Sequence, residues 1–321
     1  MSSRLYVAAL VAALFSAAAV AQSWPAKPIR FIVTLAPGSA SDIVARVTGD
    51  ALTKPLGQQV IVENRPGAGG VVAAEIVQRA APDGYTLLIG SIASHGINPA
   101  LVPKIPYDAV KDFTPIVNIA SSPNVLITSN SLPVKSVKEL IALAKKRPGE
   151  LLFSSGGNGT SHHMGAELFG LLAGVKMSHV PFKGSPQAVQ AVLSGEVSLM
   201  FPNIPNAMGL AKAGKVRILG VTTPQRLSWW PDLPTIAELG LPGYEVIAWF
   251  GLMAPAGTPD AIVERLNAET NKVLGQAATR ELLVNQGFEI IGGSVKEFAA
   301  FIRSELDKWA KVVKLSGAKA E

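Results

Sequence analysis

Ile29-Arg30-Phe31-Ile32-Val33-Thr34-Leu35-Ala36-Pro37-Gly38-Ser39-Ala40-Ser41-Asp42-Ile43-Val44-Ala45-Arg46-Val47-Thr48-Gly49-Asp50-Ala51-Leu52 reads as a strand, a loop and a helix in immediate succession. Residues 29 to 34 are rich in β-branched and aromatic side chains, residues 35 to 40 are small, and from Ser41 onward Ile43, Val44, Val47 and Ala51 share one helical face. Short β-branched runs followed by helical periodicity are the pattern of parallel strands joined by crossover helices, so the class is α/β. The pattern continues with strands at Val60 to Glu63 and Thr86 to Gly90 and a helix from Val71 to Arg79 between them. A helix opening on Ser136 and Glu139 ends at Arg147-Pro148-Gly149. The alternation then resumes: strand 151 to 154, helix 161 to 173, strand 177 to 180, helix 186 to 194, strand 197 to 201, helix 204 to 213, strand 216 to 221.

Beyond Val221 the pattern changes. Pro224, Pro231, Pro234 and Pro242 break up the segment and leave room for a short helix at Thr235 to Glu238. Thr258 and Pro259 open a long helix, with Thr258 as its N-cap, and Ser294 with Glu297 forms a capping box before the last one. These C-terminal helices have no strand-rich domain of their own. The chain is therefore expected to cross between two domains twice, with residues 22–126 and 246–321 forming one domain and residues 127–245 the other.

The N-terminus carries Arg4, an apolar stretch from Leu5 to Phe15, and Ala19-Val20-Ala21. That is the form of a secretory signal peptide spanning residues 1–21 and cleaved after Ala21. No later stretch is long and apolar enough to span a bilayer, so an exported, soluble product is expected. The 321 residues contain no cysteine, which excludes disulfides, thiol nucleophiles and thiolate metal sites. Lys and Arg number 29 against 23 Asp and Glu, an excess spread along the chain, so no nucleic-acid partner is indicated.

Two segments share one design, a strand followed by a loop of small residues and a helix: Thr34 to Asp42, and Ser154-Ser155-Gly156-Gly157-Asn158-Gly159-Thr160-Ser161-His162. Such loops expose backbone N–H groups at a helix N-terminus, where unpaired donors and the helix dipole favour an anion. One loop suits one oxygen, and two facing loops suit a carboxylate. Neither has the glycine and lysine spacing of a nucleotide-binding loop. His163 and Glu167 lie one helical turn apart, but no third ligand accompanies them, so no metal and no cofactor are expected. Of His162 and His163, one is expected to line the cleft and the other to face solvent. No Gly-x-Ser-x-Gly elbow occurs, which leaves Ser161 as the nearest approach to a hydrolase nucleophile. Trp249 ends an apparent strand before Gly251, so its ring is expected at a domain edge, on the cleft wall, with Phe182 and Met200.

These stretches also resemble a known family, the Bug-type solute receptors of tripartite tricarboxylate transporters. The resemblance covers essentially all of residues 22–321. It is carried by Trp24-Pro25, Lys27-Pro28-Ile29, the Pro37-Gly38 loop with Asp42 and Ala45-Arg46, Val62 to Gly70, Pro82-Asp83-Gly84-Tyr85-Thr86-Leu87, Asn98-Pro99, Gly159-Thr160-Ser161-His162, Gly195-Glu196-Val197 and Ala254 to Pro259. It implies a two-domain Venus-flytrap periplasmic receptor that closes on a small organic carboxylate and delivers it to membrane permease subunits, and the exported chain is expected to be a monomer. It further implies a ligand carboxylate held by Gly38, Ser39 and Asp42 in the first loop and by Gly157, Gly159, Thr160 and Ser161 in the second, with His162 adjacent. The chain departs from the family pattern at Ser39, where a second glycine is commoner, and at Pro202, where many relatives carry aspartate. Two other roles stand beside this reading: a receptor that reports occupancy to a membrane sensor kinase, and an exported hydrolase using Ser161.

Overall fold

The computed structural model describes residues 24–319, so the signal-peptide expectation lies outside the described residues. The opening stretch forms β1 (Ile29–Val33) and α1 (Ala40–Leu56). Ile29, Phe31, Ile32 and Val33 are completely buried, which suits a central strand covered on both faces. After β1 and α1 come β2 (Val60–Asn64), α2 (Val71–Gln78) and β3 (Thr86–Ser91). Both β2 and β3 pair with β1 in parallel, as right-handed crossovers require. A π-helical segment, Ala93–Ile97, then leads into α3 (Asn98–Leu101).

The chain next runs through β4 (Phe113–Pro123) and β5 (Val125–Ser129), which belong to different sheets and are separated by Asn124 alone. The second half continues with α4 (Val137–Lys146), β6 (Leu152–Ser155), α5 (Ser161–Ala173), β7 (Ser178–Pro181) and α6 (Ser185–Ser194). It closes with β8 (Leu199–Met200), α7 (Ile204–Lys212) and β9 (Val216–Val221). The chain returns at β10 (Ile247–Pro255) and ends with α8 (Asp260–Leu274), α9 (Ala277–Val284), β11 (Glu289–Gly292) and α10 (Val295–Ser316).

Two sheets result, ordered β11-β4-β10-β3-β1-β2 and β7-β6-β8-β5-β9. Strand β10 runs antiparallel to both β3 and β4, and β5 antiparallel to β8 and β9. The first crossing falls at Asn124, ahead of the expected 127, because Val125 and Leu126 already pair with Val221 and Gly220. Thr222 holds the two crossing segments together. Its hydroxyl accepts from the Asn124 amide at 2.9 Å and lies 2.6 Å from the Val246 carbonyl, while the Val246 amide donates to the Thr222 carbonyl.

Several local expectations change in form. Residues 235 to 238 make a turn, because Pro234 and Gly240 leave no length for a helix, yet Thr235 and Glu238 exchange both bonds of a capping box at 3.0 Å. The Thr258 hydroxyl donates to the Pro255 carbonyl at 2.8 Å instead of capping α8, and the helix begins at Asp260. The Ser294 and Glu297 capping box is complete. Helix α10 buries Phe298, Ile302, Trp309 and Val313, one stripe at helical spacing laid on β4 and the π-helical segment. Among the described residues, no helix is long and apolar enough to cross a membrane.

Candidate functional site

The carboxyl ends of β1, β2 and β3 face those of β6, β7 and β8 across a cleft, which is where ligands of open α/β sheets bind. In the first loop, Gly38 has φ +78° and donates its amide to Asp42 Oδ2 at 2.9 Å. The Asp42 carboxylate also receives Arg46, through Nη2 to Oδ1 at 2.9 Å and Nε to Oδ2 at 3.1 Å. Burial by itself would raise the Asp42 carboxyl, but the bonds from Arg46, Gly38 and Asn64 outweigh it and hold it below the usual carboxylate range. Asp42 is therefore an internally paired anion that fixes the loop. The amides of Ala40, Ser41 and Asp42, in the first turn of α1, find no acceptor among the described residues. Ser39 and Ser41 are completely buried, their hydroxyls 3.1 Å apart.

The second loop is held differently. Gly156 donates to His162 Nδ1 at 3.1 Å, Gly157 to Ser155 Oγ at 3.0 Å, and Gly159 to His163 Nδ1 at 3.1 Å. Thr160 donates its hydroxyl to the Gly157 carbonyl at 2.7 Å and caps α5 by accepting from the His163 amide. Accepting at Nδ1 leaves each ring its proton on Nε2. That of His162 reaches Asn203 Oδ1 at 3.0 Å, and that of His163 faces Glu167 Oε1 at 3.7 Å. Burial pushes His162 down to about 4, against the opposing Asn203 bond. Burial and then the neighbouring His179 push His163 to about 3. The His163 and His179 rings stack at 4.1 Å with 7° between their planes. Neither His162 nor His163 faces solvent, contrary to expectation, because both are drawn inward to support loop amides. With Gly156, Gly157 and Gly159 so engaged, the first-turn amides of Ser161 and His162 find no acceptor among the described residues. The Ser161 hydroxyl accepts from Asn124 Nδ2 at 3.3 Å, and among the described residues no histidine hydrogen-bonds to it.

Each predicted loop abuts a different part of the opposite half. Gly38 meets α6 and α7: its carbonyl accepts from Asn206 Nδ2 at 2.8 Å, and a β-carbon added at Gly38 would lie 3.4 Å from Pro186. The second loop meets the turn after β2 and the start of α3. A β-carbon at Gly69 would lie 1.9 Å from the Asn158 carbonyl oxygen, and one at Gly159 would lie 1.6 Å from Asn98 Oδ1. Beside this second contact lies a cavity of about 520 Å³, lined by Gly67, Ala68 and Gly69 from one half and by Gly156, Gly157, Asn158, Pro181, Phe182, Lys183 and Gln187 from the other. Its volume is in the range of small-molecule sites. Thr34 Oγ1 just past β1, Ser91 Oγ at the end of β3 and Asn98 Oδ1 at the start of α3 are buried without a hydrogen-bond partner among the described residues.

Two expected wall residues sit elsewhere. Trp249 is buried in the core of the first half, donating Nε1 to Glu305 Oε2 at 2.9 Å between the rings of Phe298 and Phe301, because α10 covers that end of β10. Met200 is completely buried in the core under α6 and α7. Phe182 does line the cavity. The Gly67 to Gly69 turn, Asn98, Lys183 and Gln187 were not among the expected site residues. A signal for the turn existed in Arg65-Pro66-Gly67-Ala68-Gly69-Gly70, a run of small residues directly after a strand, where Ala68 takes φ +45°. Among the described residues no group of His, Cys, Asp and Glu could hold a metal ion.

This arrangement, two α/β halves joined by paired crossings with a cleft between facing strand ends, is that of a periplasmic solute-binding protein. The chain belongs to the tripartite tricarboxylate transporter family receptors, whose family model matches residues 44–318. Protein BugT of Bordetella pertussis is 37% identical over 300 residues, covering 93% of this chain and 92% of that protein. An R. palustris protein solved with adipate is 38% identical with a TM-score of 0.89, covering 92% of this chain and 99% of that one. MatC from Rhodopseudomonas palustris, solved with bound malate, is 35% identical with a TM-score of 0.87, covering 90% and 100%.

Proposed function

We propose that this chain captures a small organic carboxylate in the periplasm by closing its two halves on it, and presents the closed form to membrane permease subunits. The observation that carries the reading is the pair of buried helix N-termini. Ala40, Ser41 and Asp42 on one half, and Ser161 and His162 on the other, offer amides that find no acceptor among the described residues. Amides so placed favour an anion through both their hydrogen bonds and the helix dipole. Gly38, Ser39 and Thr160 shape the two turns, with Gly157 and Gly159 allowing the halves to approach. Adipate and malate in the two structural relatives are ligands of this chemistry.

The cavity wall carries no acidic side chain, and Asp42 is already neutralised by Arg46. An amino acid would therefore bury its ammonium without a counter-charge, at a cost of several kcal/mol, so the ligand is an acid without an amine. Catalysis forms no part of the proposal, since the Ser161 hydroxyl is bonded to the Asn124 amide and, among the described residues, to no histidine or carboxylate. The protein acts as a monomer after cleavage behind Ala21. A thermal-shift screen of organic acids, followed by titration calorimetry, tests the reading: an acid at a hundred times its dissociation constant stabilises the fold by ~2.7 kcal/mol. Tighter binding of aspartate or glutamate than of every amine-free acid would overturn it.

A further inference from the structure

Cations that are spread along the sequence are gathered by the fold at one pole of the second half. Helices α4 and α5 both end there, and the end of α10 arrives from the other half. The Gly149 amide donates to the Lys176 carbonyl at 3.0 Å and the Ser178 hydroxyl to the Gly149 carbonyl at 2.6 Å, which ties the turn after α4 to the turn after α5. A hollow of about 450 Å³ at this pole is lined by Leu171, Gly174, Val175 and Lys176 of the second half and by Ser316 of α10. Lys145, Lys146 and Arg147 at the end of α4, Lys176 after α5, and Lys314 and Lys319 at the end of α10 are all exposed. Among the described residues none of the six forms an ion pair. The acidic side chains beside them are Glu150 and Glu167, and Glu167 faces His163 at 3.7 Å. Three leucines stand exposed in the same turns, Leu171 and Leu172 at 41% each and Leu315 at 70%.

A cation in the last turn of a helix offsets its dipole, which accounts for the lysines of one helix at a time but not for leucines left in water beside them. Protein interfaces are depleted in lysine and enriched in aromatic side chains, whereas residues 145–150, 171–177 and 311–319 contain no aromatic residue. Flexible cations around aliphatic side chains complement the phosphates and the acyl boundary of an anionic bilayer. We propose that this pole docks on a membrane surface carrying anionic phospholipid, with the six cations against phosphates and Leu171, Leu172 and Leu315 entering the headgroup boundary. The turns concerned precede β6 and β7, while the second ligand loop follows β6, so docking uses the end of the second half remote from the cleft and leaves the cleft uncovered. A periplasmic receptor held in this way is confined to the plane in which its permease lies, whatever acid it carries.

The test is sedimentation of the chain lacking residues 1–21 with sucrose-loaded vesicles, either of phosphatidylcholine alone or of phosphatidylcholine mixed with phosphatidylglycerol. It is run in about 0.1 M salt, where exposed charges act over about 10 Å. Wild type is expected to bind the mixed vesicles, to leave them as salt is raised, and not to bind the neutral ones. Lys146→Gln, Lys176→Gln and Lys314→Gln combined should weaken binding about a hundredfold, at about fivefold per charge. Lys54→Gln, Lys272→Gln and Lys296→Gln combined remove the same charge from exposed positions in the first half, and should weaken it by less than about threefold. Leu315→Ser should weaken it about fivefold. Equal losses in the two triple variants would overturn the docking pole, and absence of wild-type binding to the mixed vesicles would overturn the proposal outright. Binding of soluble polyglutamate as tight as that of the mixed vesicles, with Leu315→Ser altering neither, would overturn the lipid assignment in favour of an acidic protein segment. Thermal unfolding of each variant is expected to match wild type, since every substituted position is exposed.

Discussion

Replacing Gly159 with alanine separates closure from folding. The added β-carbon would fall 1.6 Å from Asn98 Oδ1 and 2.7 Å from Asn98 Cγ, so restoring ordinary contact requires a displacement of roughly 2 Å. Asn98 cannot give way cheaply: its Nδ2 donates to the Gly69 carbonyl at 3.0 Å and to the Ala68 carbonyl at 3.4 Å, and the residue is completely buried. Losing those two bonds on closing would cost about 1–3 kcal/mol in total, which is about 5- to 150-fold in ligand affinity. Gly159 also has φ +71°, and an alanine there costs about 1–2 kcal/mol, but that strain is present whether the halves are open or closed. The expected outcome is a loss of affinity in calorimetry that far exceeds what the modest fall in unliganded stability would suggest. Asn98→Ala in the Gly159→Ala background removes the obstructing atoms and should restore binding to within about threefold of Asn98→Ala alone. Affinity of Gly159→Ala within twofold of wild type, or an equal loss in the two backgrounds, would refute the closing contact.

Other outcomes follow from buried groups. His95 is pushed to about 3 and His162 to about 4, both chiefly by burial, while the unfolded chain titrates near 6.5. As pH falls below 6.5 the unfolded state therefore gains protons that the folded state refuses. About 2 kcal/mol of stability per ring should be lost by pH 5, and urea unfolding at pH 7.5 and pH 5 reads it; equal stability at the two would contradict the burial. Glu305 accepts from both Trp249 Nε1 at 2.9 Å and Trp309 Nε1 at 3.1 Å. Glu305→Leu should cost about 2–5 kcal/mol by leaving two indole donors buried and unpaired, with Glu305→Gln milder, both measured by chemical denaturation. Arg46→Ala leaves the Asp42 carboxylate without its partner beside the α1 amides, so carboxylate affinity should fall several-fold at low salt and partly recover as salt is added.

Much of the fold was legible where signals are local. Helix α5 spans Ser161–Ala173 as expected, bounded by a capping hydroxyl at Thr160 and a left-handed glycine at Gly174 that each act within one turn. Strand β4 was not legible. Phe113–Pro123 contains two prolines, an asparagine and two serines, and its partners β10 and β11 lie well over a hundred residues on. Its ladder with β10 is interrupted by two register shifts, a tolerance no single-strand pattern announces. The same division holds for the candidate site. The two loops were readable because strand, small loop and helix are contiguous, whereas Asn98 meets the second loop only through packing of the two halves, and Lys183 and Gln187 come beside it only through the pairing of β6 with β7. Trp249 misled for the complementary reason: nothing near it in sequence says that Glu305 and Phe298 will cover it.

The two loops reach the same end by opposite electrostatic means, and the difference explains the histidines. In the first loop an ion pair, Asp42 with Arg46, fixes the turn and adds no net charge beside the α1 amides. In the second, two neutral rings accept the Gly156 and Gly159 amides. Protonated rings could not accept, and the desolvation that holds His162 and His163 far below neutral pH keeps the acceptors available. The rings thus engage those loop amides that would otherwise compete for the ligand and leave the helix-end amides of Ser161 and His162 unpaired. Both turns are braced by these bonds without any anion, which lowers the cost of ordering them on binding.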